Sequence, residues 1–103
     1  MHIVLQPNET IVKQGFGTHF VRMMAMTGKL FLTNQRVYFV THPLNFQRYD
    51  LSFSFDTIDR VYAKNNLRIF PQGLVIRLRD GQEHRFVVWG RKQWKTAIEE
   101  YLQ

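Results

Sequence analysis

The chain contains no cysteine, little serine and no long hydrophobic run. Without cysteine there is no disulfide framework, no thiolate nucleophile and no Cys-based zinc or iron–sulfur site. The two serines, Ser52 and Ser54, lie inside an alternating segment and not on the sharp turn of a nucleophile elbow. The first apolar run, Ile3 to Leu5, stops at Gln6-Pro7, far short of a signal-peptide core or the ~20 residues of a membrane span. We therefore expect neither a targeting segment nor a covalent catalytic nucleophile.

Acidic residues are also scarce, and this imbalance bears on the choice of partner. Eight Asp and Glu stand against fourteen Lys and Arg, which gives a formal charge of +6 over 103 residues. Such a surplus favours anionic partners, whether phospholipid head groups, acidic proteins or nucleic acid. The length and the 45% hydrophobic content indicate one globular domain over residues 1–103. We expect it in the cytoplasm, with peripheral association at the inner membrane face.

No constellation of residues typical of an enzyme is visible, so we predict no catalytic residue, no cofactor and no metal. The four histidines lack the spacing of a metal site, and Asp56 and Asp59 fit the end of a strand better than a paired acid and base. The segment Gly15 to Gly17 lacks the rest of a phosphate-binding loop. His84 is predicted to face the core as a hydrogen-bonded structural residue.

Apolar and polar residues alternate with a period of two along much of the chain, which predicts β-strands. The clearest strands are Arg36 to Thr41, Leu51 to Asp56 and Leu74 to Arg79. Shorter candidates are residues 9–14, 19–26, 28–33, 58–64 and 83–89. Asn34-Gln35 separates two of them closely enough to form a hairpin.

The hairpin around Asp80-Gly81 poses a choice of register. A two-residue turn would place Leu78 opposite Glu83 and mix core and solvent residues on one face. A three-residue loop, residues 80–82, would instead give the pairs Leu78–His84, Ile76–Phe86 and Leu74–Val88. Because a slip of one residue exposes the whole apolar set, we predict the bulged three-residue loop.

The one convincing helix lies at the C-terminus, about Arg91 to Leu102. Its apolar residues form a single stripe of Trp94, Ala97, Ile98, Tyr101 and Leu102. About seven strands and one amphipathic helix predict a mainly β fold. This fold is a strongly bent antiparallel sheet, or two sheets nearly closed into a small barrel, whose open end the helix plugs.

Basic residues that break local rules are candidates for an anion site. Arg91, Lys92 and Lys95 crowd the positive end of the helix dipole, where each is unfavourable by ~0.3–1 kcal/mol. Arg77 and Arg85 should face each other across the hairpin on the solvent side, where like charges destabilise a sheet. The plainer explanations are tolerated surface charge on the helix and long arginine stems spread over apolar surface.

Two loops mix apolar and basic residues. Residues 42–49 include Phe46 and Arg48, and residues 64–71 include Arg68 and Phe70. Insertion into a membrane interface requires such an apolar tip flanked by cations, each contributing ~1 kcal/mol near anionic lipid. The alternative is that both tips fold back onto the barrel.

One stretch carries a family likeness, Gly28-Lys29-Leu30-Phe31-Leu32-Thr33-Asn34-Gln35-Arg36-Val37-Tyr38-Phe39. Its order of glycine, strand, Leu-Thr-Asn turn, arginine and second strand resembles the signature of the GRAM domain, a branch of the pleckstrin-homology-like superfamily. Further matching segments are residues 55–61, 72–76, 80–81, 86–88 and Trp94 with Ile98. The likeness covers about residues 8–102 and is greatest to the short bacterial stand-alone members.

The resemblance implies a partly open barrel of two near-orthogonal sheets capped by the C-terminal helix. It also implies a non-catalytic module that binds membrane lipids or proteins. Turn hydrogen bonds at Thr33 and Asn34, and a bend or bulge at Gly28, would give much of the motif a structural reason. Lipid-binding relatives carry a lysine and then a basic pair near the first loop. Here Lys13 and Arg22 are followed by methionines, which favours charge-driven association over recognition of one phosphoinositide.

Our preferred hypothesis is an interaction module for an anionic membrane surface or an acidic protein. Its candidate contacts are Arg48, Arg68, Arg77, Arg85, Arg91, Lys92 and Lys95, with Phe46 and Phe70 as apolar insertion candidates. Nucleic-acid binding ranks second, because the aromatics mostly occupy the core-facing phase and leave no stacking platform. A small-ligand carrier or enzyme would need a polar pocket in the barrel mouth, and exposed strand edges would also allow a homodimer.

Overall fold

The computed structural model describes residues 2–21, 24–45, 47–64 and 73–102, so the predictions for Phe46, Arg68 and Phe70 lie outside the described residues. The elements are β1 (Ile11–Val21), β2 (Met24–Thr33), β3 (Arg36–Thr41), β4 (Asp50–Ser54), a 3-10 turn (Phe55–Thr57), β5 (Ile58–Lys64), β6 (Gly73–Leu78), β7 (Glu83–Val88) and α1 (Arg91–Glu99). The predicted mainly β fold with one C-terminal helix is confirmed.

All seven strands are antiparallel and form one continuous hydrogen-bonded sheet in the order β4-β3-β2-β1-β7-β6-β5. The long strand β1 joins the two halves, because it pairs with β2 along its length while residues 17–20 also pair with β7. β4 and β5 are consequently the two edges of the sheet, and the 3-10 turn connects one edge directly to the other. The result is a half-barrel that remains open between β4 and β5.

The core consists of the inward phase of the strands, as the alternation predicts. Phe39, Phe86 and Leu30 are its largest fully buried side chains. α1 packs against β5 and β6, and its Trp94, 3% exposed, and Ile98 belong to the same core cluster. α1 ends at Glu99, earlier than predicted, but the apolar stripe continues through a turn in which the ring of Tyr101 stacks 4.8 Å from that of Phe55.

Two predicted strands are wrong at the N-terminal end. The candidate 19–26 is not one strand, because His19 and Met26 lie opposite each other on the two arms of the β1–β2 hairpin. The candidate 9–14 is only the first part of β1, which continues through Gly15 and Gly17 for 11 residues. Because the predicted strand stopped at residue 14, the outward orientation of Phe16 was not predicted.

The β6–β7 hairpin has a three-residue loop, but one position earlier than predicted. Leu78 donates its N–H to the Gln82 carbonyl at 2.8 Å, so the loop is residues 79–81. Gly81 has a φ of 95°, the left-handed region that favours glycine, and the Asp80 carboxylate accepts from the Gln82 N–H. The strand pairs are Arg77–Glu83, Ile76–His84, Val75–Arg85 and Leu74–Phe86. The predicted pairs are wrong by two positions, although the inward face is right, because a shift of two preserves the phase.

Gly28 is needed for close packing, not for the predicted bend or bulge. It pairs regularly with Gly17 and Thr41 on its two neighbouring strands. A Cβ at this position would lie 2.2 Å from the Val40 carbonyl oxygen and 2.7 Å from the Phe39 ring. The strand irregularities lie elsewhere, between Ile11 and Lys13 and between Ile58 and Arg60.

Candidate functional site

The predicted juxtaposition of Arg77 and Arg85 is wrong, because it rested on the incorrect hairpin register. Arg77 lies opposite Glu83 on β7 and opposite Arg60 on β5. Its guanidinium is 3.6 Å from the Glu83 carboxylate and 3.7 Å from that of Asp59. Like charges are therefore opposite each other across two strands, but the residues are Arg60 and Arg77. The carboxylates of Asp59 and Glu83 compensate the charge of Arg77. Arg79, the next arginine along the chain, just after β6, donates its Nε–H to the Asp56 carbonyl.

Several aromatic residues lie on the outward phase of the sheet, contrary to the expectation that aromatics mostly face the core. They are Phe16, Phe20, Phe31, Tyr38 and Tyr62, which alternate with inward residues on their strands, and Trp89 in the turn after β7; Phe31 is nevertheless buried. Phe16 is 68% exposed and Trp89 is 84% exposed. Large exposed aromatics are uncommon on surfaces without partners.

Phe16 and Trp89 lie near the same end of the β1–β7 pairing. The last pair is Gly17 with Val88; Phe16 precedes Gly17 on β1, and Trp89 follows Val88 in the turn between β7 and α1. On the other side of Phe16, the register places Lys29, whose ammonium lies 5.9 Å from the Phe16 ring. We call Phe16, Trp89 and Lys29 the aromatic end of the outer face.

Farther along the same outer face lies a basic end, which we define as Arg60, Arg77 and Arg85. Arg85 lies three residues before Val88, the last residue of β7, about 10 Å at the usual rise of a strand. Among the described residues, neither Arg60 nor Arg85 has a carboxylate within salt-bridge distance. The guanidinium of Arg60 lies 5.3 Å from the ring of Tyr62. Cations and aromatics thus share one surface.

The other predicted cations are dispersed. Arg91 directs its guanidinium at the Lys64 and Gly73 carbonyl oxygens, at 3.3 and 3.4 Å, and so tethers α1 to the ends of β5 and β6. Lys95 forms an i,i+4 ion pair with Glu99 at 3.0 Å. Lys92 is exposed on α1, and Arg48 is exposed in the β3–β4 loop. The predicted cations that the structure describes therefore do not gather on a single face, and of those named from sequence only Arg77 and Arg85 belong to the outer face.

Leu44 bears on the alternative that the tip of the β3–β4 loop folds back onto the barrel. It is 88% exposed, while Tyr49 at the far side of the same loop packs against the core. The loop is nevertheless tied to β2, because Asn45 donates its Nδ2–H to the Thr27 carbonyl at 2.6 Å, so it is the side chain of Leu44, and not the loop as a whole, that points into solvent here.

The most elaborate polar cluster in the described residues is a buried clasp formed by Glu9, Thr33 and Arg36. The Glu9 carboxylate is fully buried and accepts hydrogen bonds from Arg36 Nε at 2.8 Å and from Thr33 Oγ1 at 2.6 Å. The Gln6 N–H donates to it as well, at 2.8 Å. Burial raises the pKa of Glu9, but the three hydrogen bonds and the Arg36 charge outweigh it and lower the pKa to about 2.

The clasp explains the Leu-Thr-Asn-x-Arg motif. Thr33 Oγ1 also accepts the N–H groups of Gln35 and Arg36 at 3.0 Å, which confirms the predicted turn role of this threonine. Asn34 accepts the Thr10 N–H and donates to the Asn8 carbonyl. The motif therefore holds the segment before β1 against the β2–β3 hairpin. The charge of its arginine, Arg36, is paired with Glu9 inside the fold.

A second buried polar group lies on the inner face, where His19 is enclosed by aromatic rings. Its Nδ1 is 2.6 Å from the Tyr49 hydroxyl and its Nε2 is 3.3 Å from Nδ1 of His84. This confirms that His84 is a hydrogen-bonded inward residue. Burial and the neighbouring His84 lower the pKa of His19 to about 4, and burial also lowers the pKa of His84. Sequence spacing gives no sign of this pair, because 65 residues separate its members.

An open cleft of about 600 Å³ lies at the seam of the half-barrel, between β4 and the β6–β7 turn. Leu51, Phe53, Leu78 and His84 line it, and Asp50, Asp56, Arg79 and Asp80 stand along it. We call it the seam cleft. It differs from the barrel mouth considered from sequence, because the barrel interior itself is filled by buried side chains.

Neither a metal site nor a membrane-spanning helix occurs among the described residues. They contain no group of three or more His, Cys, Asp or Glu side chains arranged to hold a metal ion. They also contain no helix that is both long and apolar enough to cross a bilayer.

Comparison with known families now adds to this geometry. The model of the GRAM domain family matches residues 1–103. The chain belongs to the GRAM domain family. GRAM and PH-like domains are generally non-catalytic interaction modules. Among curated proteins, none matches the sequence.

Solved structures show the same fold at low sequence identity. The C-terminal domain of an unknown protein from Leishmania infantum has a TM-score of 0.80 at 14% identity, covering 92% of this chain and 85% of that one. The N-terminal PH domain of Vps36 has a TM-score of 0.71 at 16% identity, covering 94% and 84%. The Slm1 PH domain, in complex with inositol-4-phosphate, has a TM-score of 0.68 at 12% identity, covering 91% and 99%. These likenesses establish a PH-like fold for this GRAM domain.

Proposed function

We propose that this GRAM domain is a peripheral membrane-binding module that docks its outer face on anionic lipid. One observation carries the proposal: the exposed aromatics Phe16 and Trp89 share that face with Arg60, Arg77 and Arg85. Tryptophan and phenylalanine suit the interface between head groups and acyl chains, and arginine suits the phosphates around it. A PH-like neighbour that holds inositol-4-phosphate supports a lipid headgroup as the anion.

The magnitudes indicate that both ends of the face are needed. Three arginines near an anionic surface contribute about 3 kcal/mol, which by itself gives binding weaker than about 1 mM. Burying one large apolar side chain adds about 1.5–3 kcal/mol. An acidic protein would attract the same arginines, and aromatic side chains also suit protein interfaces, so we favour the bilayer because a PH-like neighbour is in complex with inositol-4-phosphate.

The site proposed here differs in part from the one expected from sequence. Arg77 and Arg85 remain in it, and Phe16, Trp89, Lys29 and Arg60 are added. Arg48, Lys92 and Lys95 remain predictions as auxiliary contacts, as do Phe46, Arg68 and Phe70. The resemblance to short bacterial stand-alone members favours the cytoplasmic face of the inner membrane as the location.

Co-sedimentation with lipid vesicles tests the proposal. We expect the domain to pellet with phosphatidylcholine vesicles that contain phosphatidylserine, and to remain in the supernatant with phosphatidylcholine alone. The double variant Phe16→Ala/Trp89→Ala should bind at least about tenfold more weakly, because two insertions are lost. Val4→Ala, which shortens another exposed apolar side chain, is the matched control and should bind normally.

Charge is tested separately. Arg60→Gln/Arg85→Gln should reduce binding to the anionic vesicles and its salt dependence, whereas Lys92→Gln/Lys95→Gln on α1 should have the smaller effect. Equal binding to neutral vesicles, or no binding to anionic vesicles at low salt, would refute the proposal.

Nucleic-acid binding is the second candidate, and the outward aromatics favour it more than the sequence did. Phe16 and Phe20 alternate along β1, and Tyr62 lies beside Arg60, an arrangement with the elements of a stacking platform. A gel-shift titration with a single-stranded oligonucleotide distinguishes the two. Tight binding with a steep salt slope, combined with no vesicle binding, would establish nucleic acid as the partner.

A further inference from the structure

We infer that the seam cleft is a second binding site, which takes an extended, basic peptide segment of a partner protein by adding it as a strand to the free edge of β4. This inference is independent of the membrane proposal, because it concerns the opposite end of the sheet order from β5 and uses none of the outer-face residues.

β4 has a free edge at which another strand can be added. β4 is the terminal strand of the sheet, and within the described residues it pairs with β3 alone. An edge strand presents unpaired backbone N–H and C=O groups, which are a template for another extended chain. The other edge, β5, differs because α1 packs against it.

The seam cleft has room and an apolar lining for such a strand. The seam cleft runs beside β4, and its volume of about 600 Å³ is within the range typical of ligand pockets. Leu51 and Leu78 are partly buried at its lining and pack against the core, and Phe53 is buried. In an added strand, alternate side chains would point at this apolar lining, as in other complexes formed by strand addition.

Charge selects the occupant. Asp50, Asp56 and Asp80 stand along the cleft, with Arg79 as the one cation among its lining residues. The guanidinium of Arg79 donates to the Asp56 backbone carbonyl at 2.8 Å. The Asp50 carboxylate accepts from the Tyr38 hydroxyl. In a chain of formal charge +6, this local excess of carboxylates favours a segment that carries Lys or Arg between its apolar residues.

The same carboxylates argue against the bilayer as the occupant, since an anionic surface would be repelled. A free metal ion is also disfavoured as the occupant, because no group of three or more suitable ligands converges in the described residues. A second copy of the chain is the remaining alternative, and the experiment separates it from a partner peptide.

The experiment uses the full chain and three defined peptides. The first is a blocked Lys-Val-Lys-Val-Lys-Val hexapeptide, the second replaces each Lys by Glu, and the third is the Lys peptide with N-methylated backbone amides. Binding is followed by amide chemical shifts and by calorimetry. We expect the Lys peptide to shift the amides of β4 and of residues 78–84. The Glu and N-methylated peptides should not do so.

Asp56→Asn/Asp80→Asn should weaken binding of the Lys peptide by about threefold or more, since two favourable charges are removed. Both residues are exposed, and an asparagine at position 80 can still accept the Gln82 N–H, so the variant should fold. Asp59→Asn, outside the cleft, is the matched control and should bind normally. Vesicle binding should not weaken in the double variant. Failure of the peptide proposal can therefore be distinguished from failure of the membrane proposal.

Three results would overturn the inference. They are equal shifts of β4 with the Lys and Glu peptides, shifts on the outer face instead of β4, and the absence of any shift. Concentration-dependent shifts of β4 amides without any peptide would assign the edge to a second copy of the chain and would also overturn it.

Discussion

Nε2 of His19 lies 3.3 Å from Nδ1 of His84, so two neutral imidazoles share the inner face of the sheet beneath the seam cleft. The hydroxyl of Tyr49 lies against the other nitrogen of His19, and the rings of Phe39 and Phe86 enclose it. This environment accommodates the two uncharged imidazoles but gives little stabilisation to a protonated one. Asp80 is the one carboxylate that raises the pKa of His84, against the larger lowering by burial.

The pair predicts a loss of stability in mild acid. Because the pKa of His19 is about 4 when folded and 6.5 ordinarily, the unfolded chain binds a proton that the folded chain rejects. The stabilisation is therefore complete above pH 6.5 and is lost as the pH falls from 6.5 towards 4, by up to ~3 kcal/mol. Urea unfolding at several pH values measures this. In His19→Gln the slope between pH 6.5 and 4.5 should be much smaller, and an unchanged slope would contradict the assignment.

The clasp predicts a second acid-dependent step at lower pH. The folded pKa of Glu9 is about 2 against an ordinary 4.5, so the stability it confers is present above pH 4.5 and is lost as the pH falls towards 2. Glu9→Gln should lower the free energy of unfolding by about 3 kcal/mol at neutral pH, because Arg36 is left buried without its charge partner. Glu99→Gln, which removes an exposed i,i+4 pair, should cost only about 0.3–0.5 kcal/mol. Comparable losses in the two variants would contradict the structural role of the clasp.

Gly28 should tolerate no side chain. A Cβ there would clash with the Val40 carbonyl, a backbone atom that cannot move without disturbing the β2–β3 pairing, so Gly28→Ala should cost at least about 2 kcal/mol. Gly15→Ala is a matched control, since a Cβ at Gly15 would meet the Trp94 ring at 3.7 Å, an ordinary contact. Thermal unfolding of the two variants measures the difference, and equal midpoints would be inconsistent with this packing.

The two tryptophans should report different surroundings. Trp89 is largely exposed and Trp94 is buried, so iodide should quench the emission of Trp94→Phe, which retains Trp89, far more than that of Trp89→Phe. If the outer face enters a membrane interface, the Trp89 emission should shift to shorter wavelength with phosphatidylserine-containing vesicles. The Trp94 emission should stay constant. A shift in Trp94 alone would place the contact elsewhere.

The sequence predicted which residues face inward far better than it predicted which residues meet. The phase of Ile76 and Leu74 is right, yet their partners are wrong by two positions, because the apolar pattern cannot separate registers that differ by two. The hydrogen bond from the Gln82 N–H to Asp80 and the conformation of Gly81 mark the register that forms.

The candidate site was harder to predict for a related reason. Phe16 lay outside the predicted strand 9–14, and only the continuous pairing of β1 reveals that it points outward. Trp89 was included in the last predicted strand but follows β7 in a turn, and its position near the Gly17 end of β1 depends on the β1–β7 pairing, which joins residues about 70 positions apart. Such distant pairings leave no trace in a local pattern.

The clasp also has a kinetic consequence. It joins Glu9 to residues 24 and 27 positions later, whereas the adjoining β2–β3 hairpin closes over two residues. Closing the longer loop costs more chain entropy, so the hairpin should be in place before Glu9 arrives. A contact made after the transition state slows unfolding and leaves the folding rate nearly unchanged. The buried carboxylate would then govern the lifetime of the native domain, and its removal would shorten that lifetime without delaying how quickly a new chain matures.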